Sequence, residues 1–110
     1  MSEVLDAVVL DDLVEHIGAE PVRAVIELFL GECGELTATI TAPGADRSAV
    51  GRAAHSLKSS AGQLGASALS EAALAVESAA GSDSPALPGL IAALVECARL
   101  TEAALAVRLR

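Results

Sequence analysis

Apolar positions recur along this chain with helical spacing, and turn-forming residues divide the pattern into five segments. The first, about residues 7–17, carries Leu10, Leu13, Val14 and Ile17, with Asp6 placed to cap its start and Gly18 to stop it. The second, about 21–42, opens at Pro21, a residue welcome in a first turn, and closes at Pro43-Gly44. Its stripe is Val22, Val25, Ile26, Phe29, Cys33, Leu36 and Ile40. Asp46 caps a third segment, about 47–63, that ends before Gly65. The fourth, about 67–80, shows Leu69, Ala72, Ala73, Val76 and Ala80. After the turn formers 81–85 comes a fifth, about 86–109, through Leu87, Leu90, Ile91, Leu94, Ala98, Thr101 and Leu105. Strand-like alternation bounded by turn signals is absent. Helices joined by such short connections pack as antiparallel neighbours. The expectation is an all-α single domain over 1–110: an up-down-up-down four-helix bundle with a short additional N-terminal helix laid across one end.

The third segment holds the residue that a plain bundle does not need. At about 100° per residue, Val50, Ala53, Ala54, Leu57, Ala61 and Leu64 share one direction, and that arc is the core face. His55 falls about 140° away from it, on the outer face. Gly51, Lys58, Ser59 and Gly62 lie near it on that face. Each glycine costs about 1 kcal/mol relative to Ala in a helix interior. Two of them beside one histidine suggest a surface kept low so that another protein can reach the imidazole. A lysine one turn away can stabilise a phosphoryl group on the ring.

Composition narrows the partners. Fifteen acidic residues against seven Lys and Arg give a net charge of −8, which disfavours nucleic acid and anionic membranes. With 24 Ala and 16 Leu, one Phe and no Trp or Tyr, the chain suits helices. It offers no aromatic stacking platform or aromatic-lined pocket. Cys33 and Cys97 are far apart, outside any CxxC, and fall within apolar stripes, so buried free thiols are expected and a zinc site is not. No secretory signal or membrane-length apolar run is visible, which gives a cytoplasmic expectation.

The run Ala54-His55-Ser56-Leu57-Lys58-Ser59-Ser60-Ala61, followed by Leu64-Gly65-Ala66, resembles the signature of histidine phosphotransfer (HPt) domains. That pattern reads A-H-x-L-K-G-S-A and then L-G-A. The similarity extends to Leu5-Asp6 before Leu10, to Phe29 in the second helix and to Glu77 late in the fourth. Ser59 departs from it, standing where most members have glycine.

The resemblance implies a phosphocarrier that moves a phosphoryl group between receiver-domain aspartates, without kinase or phosphatase activity of its own. By position it implies His55 as the phosphorylated residue, Lys58 as its electrostatic neighbour and Gly62 as clearance. Glu77 looks like the glutamate that bonds the histidine's other ring nitrogen in related domains of chemotaxis-type kinases. A carboxylate there fixes the tautomer and raises ring nucleophilicity. The family's receiver footprint nominates Val8, Val9, Ser59, Gly62, Gln63 and Leu74. Receiver domains of response regulators and a hybrid or cognate histidine kinase are the implied partners. No cofactor or metal site is expected, the Mg²⁺ coming from the receiver, and the protein is expected to be a monomer. Met1 and a complete bundle favour a free-standing protein over a piece of a kinase.

Other readings fit less well. An acyl carrier protein needs Asp-Ser-Leu, whereas Asp83-Ser84 is followed by Pro85. A di-metal bundle needs Glu-x-x-His, but Leu13 precedes His16 and Arg52 precedes His55 at that spacing. His16 suits a helix C-terminus as a cation and is not a second phosphosite. The alternative kept is a helical module that docks a receiver or kinase without being phosphorylated.

Overall fold

A computed structural model describes residues 3–110, and among them every regular element is a helix. Met1 and Ser2, where the free-standing expectation starts, lie outside the described residues. The helices are α1 (Ala7–Ile17), α2 (Ala19–Thr41), α3 (Arg47–Gln63), α4 (Ser67–Gly81) and α5 (Leu87–Arg108). The Asp6 carboxylate accepts from the Val8 N–H at 3.0 Å and that of Asp46 from the Ala49 N–H at 2.7 Å, so both foreseen caps are made. The second helix begins at Ala19 and not at 21, because Gly18 both ends α1 and starts α2. Its N–H bonds the Val14 carbonyl at 2.8 Å and its own carbonyl accepts from Val22 at 3.3 Å. The other bounds match the expected ones or differ from them by a single residue.

The helices form a bundle in which α2 touches α3 and α5, and α4 touches α3 and α5. The most extensive contact joins α3 to α4. Ala54, Leu57 and Ala61 on one side and Leu69, Ala73 and Val76 on the other are wholly buried. Methyl-sized side chains let the two helices approach closely, which holds their outer residues side by side. Thr101 is also fully buried, its hydroxyl donating to the Cys97 carbonyl one turn back at 2.8 Å.

Two apolar stripes are less buried than their periodicity suggests. Ile17 is 48% exposed and Val25 40%, and within α1 only Leu10 is buried. The reason is that, among the described residues, α2 is the helix packed closely on α1, with α5 reaching it through the Arg108–Asp11 ion pair at 3.3 Å, so one side of the α1 stripe has no closely packed second helix. Gly51 needs a similar correction. It is half-buried, and a Cβ built there would stand 3.7 Å from that of Ala80, so this position faces α4 and does not lower the outer surface.

Both cysteines are free, but only Cys33 is buried; Cys97 is half-buried. Burial, with the charges of Glu102 and Glu32 adding to it, pushes the Cys33 thiol up to about 11. About one Cys33 in a thousand is then thiolate at pH 8. Native alkylation at that pH should therefore modify Cys97 first and Cys33 only on unfolding, as peptide mass spectrometry can read. Equal rates would contradict the packing around Cys33.

Candidate functional site

The outer face of α3 and the adjoining edge of α4 bring three side chains together. His55 Nδ1 lies 2.7 Å from Glu77 Oε2, and Lys58 Nζ lies 3.1 Å from Glu77 Oε1. The His55 side chain is 60% exposed, whereas Lys58 and Glu77 are each 29% exposed. Residues three apart on a helix are neighbours, so α3 presents His55 and Lys58 together, and Glu77 reaches both from α4.

The carboxylate organises this group. The hydrogen bond from Lys58 holds Glu77 below the usual carboxylate range, and the bond from His55 adds to it, against the opposing effect of burial. Glu77 is therefore ionised at neutral pH and can only accept. The 2.7 Å contact accordingly requires Nδ1 to carry the proton, leaving the Nε2 lone pair of a neutral ring free. Lys58 shares that carboxylate, its charge paired with Glu77.

The neighbouring hydroxyls are mostly occupied. Ser59, the departure from the family pattern, turns back to the His55 carbonyl at 3.3 Å. Its hydroxyl thus stays on its own helix. Ser60 donates to Glu32 Oε1 at 2.5 Å and ties α3 to α2. Ser70 donates to the Lys58 carbonyl at 2.9 Å and stands 3.5 Å from a Cβ built on Gly62. Ser70 was not nominated from the sequence, where an α4 serine carries no sign of a cross-helix bond. Gly62 itself is exposed.

The nominated docking residues divide. Val8, Gln63 and Leu74 are exposed, whereas Val9 is half-buried and turned toward Gly65. Gln63 lines a shallow apolar groove with Leu13, Val25, Leu28 and Phe29. Leu28, 75% exposed, was missed because its helix has a well-defined stripe elsewhere and Leu28 lies off it. A larger groove of about 710 Å³ runs along α3 on the other side of His55, toward its N-terminal end.

The model of the Hpt domain family matches residues 24–107 of the chain. Neither a curated protein nor a solved structure matches it.

Proposed function

The chain belongs to the Hpt domain family, which serves histidine phosphotransfer in phosphorelays, and on that premise we propose that His55 receives and passes on the phosphoryl group. The observation that carries this reading is the exposed ring whose Nδ1 is held by Glu77 while Nε2 stays free. The Nε2 lone pair attacks the phosphorus of a receiver's aspartyl phosphate, and the P–O bond to the aspartate breaks. The receiver carboxylate leaves with that electron pair. The Nδ1 proton remains, and the Glu77 carboxylate offsets the positive charge that develops on the ring. Return transfer reverses these steps with another receiver.

Phosphoryl transfer needs positioning and charge neutralisation more than covalent work from the protein. Mg²⁺ belongs to the receiver in this reading, and the chain has no kinase or phosphatase activity of its own. Family members interact with receiver domains and histidine kinases. Val8, Gln63, Leu74 and Gly62 are exposed, consistent with a footprint across α1, α3 and α4. The contacts and short connections support an up-down-up-down order of α2 to α5. A cytoplasmic monomer is the working form in this reading. Among the described residues no helix is long and apolar enough to cross a membrane.

Incubation with a panel of receivers carrying labelled aspartyl phosphate tests the proposal. Label should move to this chain in a linkage that is acid-labile and alkali-stable, as a phosphoramidate is. A chain that binds receivers but never takes label would instead be a docking module.

A further inference from the structure

We propose that Arg52 binds the phosphoryl group on His55, an inference that rests on His55 being the phosphorylated residue. The cation adjoining His55 in the sequence motif, Lys58, is already paired at 3.1 Å with the Glu77 carboxylate that holds Nδ1. A group on Nε2 needs a different counter-charge. The groove of about 710 Å³ beside His55 supplies two arginines, with Ser48, Gly51 and Ser56 also in its lining.

The two arginines are not equivalent. Arg47 is fully engaged: Nε pairs with Asp83 at 2.8 Å, and its terminal nitrogens donate to the Ala79 and Ser84 carbonyls at 3.1 and 3.2 Å. Arg52 is exposed, and among the described residues its hydrogen-bond partner is the neutral Ser48 hydroxyl at 2.6 Å. In a chain where fifteen carboxylates outnumber seven Lys and Arg, a cation resting on a hydroxyl beside the nucleophile is conspicuous.

Reach and chemistry agree with the assignment. Arg52 precedes His55 by three residues, which puts their Cβ atoms about 5–6 Å apart on one helix face. Helical side chains lean toward the N-terminus, which directs the His55 ring toward the Arg52 end of the groove that both line. A planar guanidinium can release Ser48 and donate two parallel N–H bonds to two phosphoryl oxygens, which a lysine cannot do as a fork. Arg52 would thus stabilise the phosphorylated state over the free one while leaving the attacking nitrogen unaltered.

The test is the equilibrium between a labelled phospho-receiver and this chain, measured for wild type, Arg52→Gln and Arg52→Lys, with Arg99→Gln as an exposed-arginine control. Arg52→Gln should shift the equilibrium away from phosphohistidine by about three- to tenfold, the scale of an exposed charge-assisted contact. Arg52→Lys should recover part of the loss, and added salt should narrow the gap between variants. Arg99→Gln should match wild type. If wild type takes label and Arg52→Gln shows the same equilibrium, the Arg52 proposal alone is overturned. If wild type takes no label from any receiver, the His55 reading fails and this one with it.

Discussion

His55→Gln is expected to abolish phosphoryl acceptance while leaving fold and receiver binding intact. The side chain is 60% exposed and, among the described residues, its side-chain partner is Glu77. Glutamine keeps an N–H that can serve the same carboxylate but has no nucleophilic nitrogen. Glu77 also retains Lys58, so no buried charge is stranded. Stability should stay within about 0.5 kcal/mol of wild type, as for most surface substitutions. Phosphotransfer, thermal melting and a receiver titration followed by amide shifts together check the three parts. Label persisting on the variant would move the phosphosite away from His55.

Gly65→Ala should have the largest effect on stability, although it lies outside the reactive group. Gly65 has φ +76°, a left-handed conformation that costs an L-residue about 1–2 kcal/mol. A Cβ there would stand 3.0 Å from the Asp6 carbonyl oxygen and 2.9 Å from the Val9 Cβ. Neither atom can be moved by a rotamer change. The same turn receives the start of α1: the Asp6 N–H donates to the Gly65 carbonyl at 2.7 Å, and the Ala68 N–H to the Glu3 carbonyl at 2.9 Å. Strain and displacement together should cost about 2–4 kcal/mol. At about 4–5 °C per kcal/mol for a domain of this size, Tm should fall by roughly 8–20 °C. Alternatively α1 detaches, with faster hydrogen exchange at Val8 and Leu10 as its mark. Gly62→Ala is the matched comparison, since Gly62 lies within α3 and its added Cβ meets only ordinary contact with Ser70. A Gly65→Ala protein that melts and exchanges like wild type would refute this account of the turn.

The core face of α3 was fully legible in the sequence: all six residues assigned to it from the angular pattern are buried. So were the Asp6 and Asp46 caps, because a carboxylate before a helix has one obvious set of donors to satisfy. Ile17 and Val25 were misjudged because periodicity says which way a residue faces along its own helix, not how many other helices stand there. Cys97 fell short of full burial for the same reason, on a helix that is apolar around much of its circumference. The outward position of His55 followed from spacing, and its link to Glu77 came through family resemblance. The meeting of Lys58 with Glu77, the Ser70 bond and the Arg52 groove depend on how two helices are set against each other. No one-dimensional pattern encodes that.

The joint at Gly18 has a consequence for encounters with partners. A single residue links α1 to α2, and the far end of α1 is fastened to the turn between α3 and α4. With both ends fixed, the short helix has little conformational freedom left to lose. A partner that meets α1 meets a surface already ordered, so the entropy of arranging it falls on folding and not on each collision. Modest contact areas can then give adequate affinity, and complexes can form and separate quickly enough for one chain to serve a donor and an acceptor in turn.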